Sequence, residues 1–106
     1  FMRIEFYPVE KLKKQVLDII GRYLNLNEYK IFFFGSRVEG KGNERSDIDI
    51  GIEGFETVPD RAWIEIKEEI ENLPTLYKIE IVDFRQVAPI FKKVASRYIE
   101  PIKISS

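Results

Sequence analysis

The chain has 106 residues and neither cysteine nor histidine, which excludes disulfides, thiol nucleophiles, zinc sites built on these residues, and histidine relays. Its 44% hydrophobic content, with eight Phe and five Tyr, is enough for one globular core and excludes wholesale disorder. Seventeen basic and eighteen acidic residues leave a net charge of -1, which provides no overall field to attract nucleic acid or an acidic membrane. We therefore expect a single domain over residues 1–106, in which catalysis would depend on carboxylates.

Nothing in the sequence predicts a membrane span or a secretory signal. No apolar run approaches the ~20 residues that a membrane-spanning helix needs. The first residues, Phe1, Met2 and Arg3, lack the apolar segment of a signal peptide. We expect a cytoplasmic protein.

The first half of the chain predicts one helix followed by two strands. Apolar residues recur at helical spacing over Val9–Leu26, with lysines and other polar residues on the remaining faces, as in an amphipathic helix. The aromatic and β-branched run Tyr29–Phe34 is short and ends at Gly35, which favours a central strand. Over Asp47–Glu53 apolar and other residues alternate with period two, and this predicts a second strand.

The second half predicts a helix, a third strand and a last helix. Pro59 marks the start of the first of these helices and Pro74 ends it. Tyr77–Phe84 has the composition of a strand, and an apolar stripe over Gln86–Ile99 predicts a final helix that ends before Pro101. This order predicts a small α+β (α/β) domain, with a mixed sheet of three or four strands and helices packed on it. The strand-helix-strand connection favours a parallel pair, whereas the loop between the first two strands is compatible with either direction.

A glycine-serine turn directly follows the first strand. Gly35 allows the backbone to turn sharply, and Ser36 adds a hydroxyl beside exposed backbone N–H groups, a combination that accepts phosphate oxygens. A helical turn beginning at Arg37 would add further N–H groups and a favourable dipole. Arg37 or Lys41 could also neutralise a polyphosphate, or either could be a plain surface charge. Gly-Ser-Arg alone is common, so by itself it favours an ordinary glycine turn.

Two aspartates make the second strand the best candidate for a chemical site. Residues i and i+2 of a strand point to the same face, so Asp47 and Asp49 lie together while Ile48 and Ile50 face the core. Two like charges on one strand face cost stability unless a cation or donors compensate, and Mg²⁺ prefers such hard oxygen ligands. A solvated edge strand would explain an isolated Asp-x-Asp better, but the preceding glycine-serine turn favours a metal and phosphate site.

A third carboxylate is expected on the third strand, because two-metal phosphoryl-transfer sites usually need one. Glu80 and Asp83 are the two candidates. We favour Glu80, since Ile79 and Ile81 identify the core face of this strand and leave Glu80 on the other face. Asp83 is better interpreted as a helix N-cap or turn residue ahead of the last helix.

These residues together resemble the signature of a known superfamily. The motif residues, which follow an apolar strand, are Gly35-Ser36-Arg37, Gly40 and Ser46-Asp47-Ile48-Asp49. They are similar to the motif of the nucleotidyltransferases that include DNA polymerase β and kanamycin nucleotidyltransferase. The short chain looks like the minimal nucleotidyltransferase (MNT) group of bacteria and archaea, and the resemblance spans essentially the whole chain. It implies the polymerase β palm-like fold over residues 1–106 as one minimal nucleotidyltransferase domain.

The resemblance also implies an activity, cofactors and a partner. The implied catalytic and metal-binding residues are Asp47, Asp49 and Glu80. The residues implied to hold the triphosphate of ATP are Gly35 and Ser36, with Arg37 beside them. Two Mg²⁺ ions would assist the transfer of AMP from ATP to an acceptor hydroxyl. Many minimal members act as antitoxins of a helical HEPN protein, in some cases by transferring AMP to a tyrosine of that toxin, so a HEPN partner is implied.

Two other functions stay open at this point. The chain could be a non-catalytic antitoxin that neutralises a HEPN partner by complex formation, with apolar residues such as Ile64 and Ile99 in a docking patch. A small-molecule nucleotidyltransferase of the antibiotic-modifying type is disfavoured, because 106 residues leave no room for a second domain to hold the acceptor. Direct binding to nucleic acid or to a membrane is not expected.

Overall fold

The computed structural model describes residues 7–35, 37–38, 40 and 47–103. Within these residues the helices are α1 (Val9–Gly21), α2 (Asp60–Glu71) and α3 (Pro89–Ala95), with a 3₁₀ turn at Leu26–Glu28. The strands are β1 (Tyr29–Phe34), β2 (Ile48–Gly54), β3 (Ile79–Asp83) and β4 (Glu100–Lys103). No helix in this part of the chain is both long enough and apolar enough to cross a membrane.

The four strands form one mixed sheet in the order β3-β2-β1-β4. β1 runs antiparallel to both β2 and β4, whereas β2 runs parallel to β3. The connection through α2 therefore produces the expected parallel pair, and the loop after β1 reverses the direction of the chain. The predicted α+β fold with a mixed sheet is confirmed, and β1 is central as expected.

One face of the sheet carries the main hydrophobic core. α1 and α2 cover this face, and alternate residues of the strands point into it. The buried side chains are Leu12, Val16, Ile19, Ile20, Ile31, Phe33, Ile48, Ile50, Ile52, Val58, Ile66, Ile70 and Ile79. The two helices are also joined by Glu69 of α2, which pairs with Arg22 at 2.7 Å and accepts a hydrogen bond from the Tyr23 hydroxyl.

The opposite face of the sheet carries a smaller aromatic cluster. Phe34 of β1 packs edge-to-face on Phe84, with ring centroids 5.1 Å apart. Phe91 of α3 packs against both rings, and Lys92 of the same helix forms an ion pair with Glu53 of β2. These contacts attach α3 to the sheet. Because α3 has only seven residues, it covers only part of this face.

The C-terminal part of the chain differs from the prediction. The last helix spans Pro89–Ala95 instead of Gln86–Ile99, and Glu100–Lys103 forms an edge strand that the sequence pattern does not predict. A proline shortly after an apolar stripe is typical of a helix end, and for this reason the sequence pattern predicts that the last helix ends before Pro101. Proline is also tolerated in edge strands, where its missing N–H costs no ladder hydrogen bond, and the pairing of β4 with β1 shows that this second role applies.

The first helix is shorter than its apolar pattern predicts. The stripe continues to Leu26, yet α1 ends at Gly21, a residue type with low helix propensity. Leu24 and Leu26 still pack against the main core from the turn that follows. The periodicity therefore identified core contacts beyond the point where the helix stops, although Leu24 and Leu26 are only partly buried and Tyr23 is exposed. β2 and β3 match the predicted strands to within two residues at each end.

Gly51 allows the aromatic cluster to pack directly on β2. A Cβ atom added there would lie 2.4 Å from the Phe32 ring and 2.8 Å from the Phe84 ring. We expect Gly51→Ala to lower the free energy of unfolding by about 1–3 kcal/mol, because both rings would have to leave their edge-to-face contact. Urea unfolding measures this, with Gly21→Ala as the control, since its added methyl meets only the flexible Leu26 side chain at 3.2 Å. An unchanged midpoint for Gly51→Ala would contradict the prediction.

Candidate functional site

A cavity of about 440 Å³ opens between the sheet and α3. Its floor, from the sheet, consists of Phe34, Gly35, Asp49, Glu80 and Val82. Its wall, from α3 and the turn after it, consists of Phe91, Val94, Ala95 and Tyr98. Two carboxylates thus face a mainly apolar cavity whose volume is in the range of small-molecule sites.

The register of the sheet places Asp49 next to Glu80. In the parallel ladder of β2 and β3 these two residues are direct partners, and Asp49 also lies opposite Phe34 of β1. Partners in adjacent strands project to the same face of a sheet. Their neighbours Ile48 and Ile79 are buried in the main core on the other face, so both carboxylates point to the side of α3.

The carboxylates of this site are electrostatically coupled. Partial burial raises the pKa of Asp49 to about 6, with smaller contributions from the negative charges of Glu80 and Asp47. Lys78 forms an ion pair with Glu80 at 3.1 Å, and this hydrogen-bonded contact raises the pKa of Lys78. The ionised form of Asp49 is therefore disfavoured chiefly by burial, and the negative charges nearby add to this effect.

The donor set fits Mg²⁺ in its chemistry. Asp47 lies one residue before β2 and does not line the cavity. Among the described residues, no three acidic side chains lie close enough together to bind one metal ion. Mg²⁺ does not require such a cage, because it is usually held by one or two carboxylates together with substrate phosphates and water. Asp49 and Glu80 offer hard carboxylate oxygens beside the cavity, which matches that form of binding. A cation would also compensate the negative charge of Asp49, which partial burial disfavours.

Gly35 forms the corner between β1 and the cavity. Its φ of +90° lies in the left-handed region that favours glycine. A Cβ atom added at Gly35 would lie 2.3 Å from Oδ2 of Asp49. The backbone at Gly35 therefore approaches this carboxylate so closely that position 35 has no room for a side chain. Gly40 also has a positive φ of +78°, but no described atom lies within 4 Å of a Cβ added there.

The remaining motif residues are placed differently. Ser36, Lys41 and Ser46 lie outside the described residues. Arg37 does not line the cavity: it is only 8% exposed, and its guanidinium carbon lies 4.7 Å from the centre of the Tyr77 ring. The Arg37 guanidinium thus lies against the Tyr77 ring, in the segment that leads into β3.

Residues 11–99 of the chain match the family model described as Polymerase beta, Nucleotidyltransferase. The chain belongs to this family. The resemblance inferred from the motif is therefore confirmed, and the protein is a nucleotidyltransferase. The cavity with its acidic floor lies within the matched residues.

Relatives share the fold of this nucleotidyltransferase at low sequence identity. A Haemophilus influenzae protein described as a probable protein adenylyltransferase, MntA, is 26% identical over 85 residues, which are 78% of this chain and 75% of the relative. A crystal structure of a toxin-antitoxin with AMP-PNP superimposes with a TM-score of 0.68 at 18% identity, over 85% of this chain and 71% of that one. A tri-AMPylated Shewanella oneidensis HEPN toxin in complex with MNT antitoxin superimposes with a TM-score of 0.66 at 15% identity, over 88% and 70%.

Asp83 of the nucleotidyltransferase is a structural turn residue. Its buried carboxylate accepts hydrogen bonds from the backbone N–H groups of Val58 at 2.8 Å and Arg85 at 2.9 Å, and from the side chain of Gln86 at 3.3 Å. The residue that precedes α3 as its N-cap is Ala88. Asp83 therefore closes the turn after β3, and of the two alternatives in the sequence the turn is the one that the structure contains.

We expect Asp83→Ala to lower the free energy of unfolding by about 2–4 kcal/mol, because it leaves buried N–H groups without an acceptor. Asp83→Asn should lose less, since one side-chain oxygen can still accept the hydrogen bond from Val58. Thermal unfolding of the two variants measures the difference. Equal losses would contradict the role of the carboxylate oxygens.

The wall of the cavity was not predicted as part of a site. The sequence pattern predicts Phe91, Val94 and Tyr98 as the buried stripe of a last helix, but they are 42–54% exposed and face the cavity. Periodicity shows that one side of a helix is apolar, not whether that side fills a core or borders a cleft. The stripe over Gln86–Ile99 is as long as that of an ordinary helix, so its length gave no signal that it borders a cavity.

Proposed function

We propose that this nucleotidyltransferase uses Mg²⁺ and transfers AMP from ATP to a tyrosine hydroxyl of a HEPN-family partner. The observation that carries the proposal is the pairing of Asp49 with Glu80 on the floor of the cavity, beside the turn at Gly35. The family supplies the reaction type, and the AMP-PNP in a structural relative supports ATP as the donor. The MntA relative and the AMPylated toxin complex support a protein as the acceptor, and the tyrosine hydroxyl is the acceptor group that the resemblance to minimal nucleotidyltransferases implies.

In this proposal Asp47, Asp49 and Glu80 are the metal ligands and the catalytic carboxylates. Bound Mg²⁺ would neutralise the triphosphate and stabilise the attacking and leaving oxygens. With a pKa of about 6, Asp49 is mostly ionised at neutral pH and can act as a ligand. Through the Mg²⁺ that they would hold, the carboxylates would orient the donor for in-line transfer. The acceptor oxygen would bond to the α-phosphorus, pyrophosphate would leave from the opposite side with the electron pair, and the hydroxyl proton would pass to water.

The turn at Gly35, together with Ser36, is proposed to hold the triphosphate. Its close approach to Asp49 would bring phosphate oxygens next to the carboxylate ligands. Arg37, stacked on Tyr77, would support the shape of this turn. The apolar wall around Phe91 suits the flat faces of a nucleobase.

A partner chain is proposed to complete the site. α3 borders the cavity through Phe91 and Val94, and it also exposes Ile90, which does not line the cavity and is more than half exposed. The acceptor has to enter from the side that the sheet and α3 leave open. We propose that a HEPN protein supplies this acceptor in a toxin-antitoxin pair in the cytoplasm, where ATP and Mg²⁺ are present.

The test is to co-express the chain with a HEPN protein encoded next to it and to treat the purified complex with Mg²⁺-ATP. The intact mass of the partner should increase by one or more adenylates, and peptide mass spectrometry should locate each on a tyrosine. The Asp47→Asn, Asp49→Asn double variant is the control, and it should form the same complex without the mass increase. A wild-type complex that forms but leaves the partner unmodified would contradict the proposal.

That contradicting result would favour a second candidate, an antitoxin that acts by binding alone. The observation in its favour is the exposure of large apolar side chains away from the cavity. Ile64 and Leu76 are 63% and 105% exposed, and Ile99 is 43% exposed. Under this candidate Ile64→Asp would abolish the complex, whereas Asp49→Asn would leave neutralisation of the toxin unchanged.

A further inference from the structure

Tyr98 carries the only hydroxyl group among the described residues that line the cavity. It follows α3, it is 54% exposed, and it borders the same cavity as Asp49 and Glu80. A phenolic oxygen is the acceptor group of the proposed function. The site thus contains a possible acceptor that belongs to the chain itself.

The other tyrosines of the chain are engaged elsewhere. They are Tyr7, Tyr23, Tyr29 and Tyr77. The hydroxyls of the first two donate hydrogen bonds to side chains of α1 and α2, the third packs against the main core, and the fourth lies against the Arg37 guanidinium. None of the four lines the cavity, and no described residue hydrogen-bonds the hydroxyl of Tyr98.

We propose that Tyr98 is a site of self-adenylylation, an inference that rests on the proposed function. The Tyr98 oxygen forms a bond to the α-phosphorus of bound Mg²⁺-ATP. The bond between that phosphorus and the oxygen bridging to the β-phosphate breaks, and pyrophosphate leaves with the electron pair. The phenol proton passes to water, and the products are adenylyl-Tyr98 and pyrophosphate.

Modification of Tyr98 would limit itself. Because Tyr98 is part of the wall of a cavity of about 440 Å³, an adenylate attached to it would occupy space that a second nucleotide needs. The chain would therefore accept one adenylate and then bind ATP more weakly. A partner that presents its own tyrosine would compete with Tyr98 for the bound ATP.

The test is to incubate the full chain with Mg²⁺-ATP, with and without its HEPN partner, and to map adenylates by peptide mass spectrometry. The peptide that contains Tyr98 should gain one adenylate in the wild type, and it should gain none in Tyr98→Phe or Asp49→Asn. Tyr23→Phe is the matched control, because Tyr23 is also partly exposed but lies on the side of α1 and α2, and it should be modified like the wild type. The modified chain, separated from the unmodified one, should bind AMP-PNP at least about tenfold more weakly by calorimetry.

Failure of this inference is distinguishable from failure of the proposed function. Transfer to the partner with an unmodified Tyr98, or an adenylate on a different tyrosine of the chain, would overturn the inference and leave the proposed function standing. Unchanged AMP-PNP affinity after modification would overturn the self-limiting role. Absence of transfer to both the partner and Tyr98 would overturn the proposed function and the inference together.

Discussion

Replacing Asp49 by asparagine should lower the rate of adenylate transfer by about 10³-fold, as removal of one charge-stabilising group does in other active sites. Asparagine keeps the shape of the side chain but removes the negative charge next to Glu80. Transfer rates to the partner, followed with labelled ATP, measure the effect. Asp83→Asn is the matched control, since it alters a carboxylate outside the cavity, and it should keep the wild-type rate per folded molecule. A rate for Asp49→Asn close to the wild type would contradict the assignment.

The same substitution should make the folded chain more stable at neutral pH. The pKa of Asp49 is raised from 3.8 to about 6, so in this window the folded chain binds more protons than the unfolded chain. The free energy of unfolding therefore falls as the pH rises through the window, and the penalty is fully present above it. This rise in pKa corresponds to a loss of roughly 3 kcal/mol in the free energy of unfolding for a fully buried group. Because Asp49 is only half-buried, we expect the variant to be about 1–2 kcal/mol more stable than the wild type at neutral pH.

Thermal unfolding without divalent ions, from about pH 4 to neutral pH, measures this second effect. The difference between Asp49→Asn and the wild type should be small at the acidic end and should grow in favour of the variant as the pH rises. Carboxylates distant from Asp49 titrate alike in both proteins and cancel in the comparison. A variant that is less stable than the wild type at neutral pH would contradict the electrostatic penalty on Asp49.

Gly35→Ala should reduce both stability and transfer, whereas Gly40→Ala should reduce stability alone. Both glycines have positive φ values, +90° and +78°, so alanine at either position costs about 1 kcal/mol or more in backbone strain. Only at Gly35 does the added Cβ also collide with Asp49, at 2.3 Å from its Oδ2. The carboxylate would have to leave its place beside Glu80 to relieve that contact.

Urea unfolding and transfer rates of the two alanine variants, measured in parallel, separate the effect of backbone strain from the effect of displacing the Asp49 carboxylate. We expect Gly35→Ala to lower transfer by about 10²-fold, since a misplacement of about 1 Å in a reacting geometry has effects of this size. Gly40→Ala should retain most of the transfer rate of the wild type. Equal losses of activity in both variants would show that strain in the turn, and not the contact with Asp49, limits the reaction.

Local patterns in the sequence were sufficient for the faces of the strands and for the family. Asp49 stands between Ile48 and Ile50, and the alternation of a β-strand leaves its carboxylate on the face opposite these core residues. The same alternation around Glu80 separates it from Ile79. The motif after the first strand predicted the nucleotidyltransferase family that the match over residues 11–99 shows.

The C-terminal elements could not be predicted because tertiary contacts decide them. Glu100–Lys103 becomes a strand only because the edge of β1 is free to pair with it, and its short sequence contains no alternation that would indicate this. α3 ends at Ala95 and therefore covers only part of the sheet. Val94 and Tyr98 line the cavity that remains, although their spacing is that of a core stripe.

The sequence by itself predicted the strand face on which Asp49 and Glu80 lie, since side-chain direction follows from the two-residue repeat of the strand backbone, whereas Asp47 precedes β2. Only the tertiary structure decided that Asp49 and Glu80 are partners, because the packing of α2 against the sheet sets which strands are neighbours and in what register. It also decided that a cavity lies in front of them, since that depends on how little of the sheet α3 covers. Chemical identity is a property of local sequence, whereas proximity depends on contacts between residues far apart in the chain.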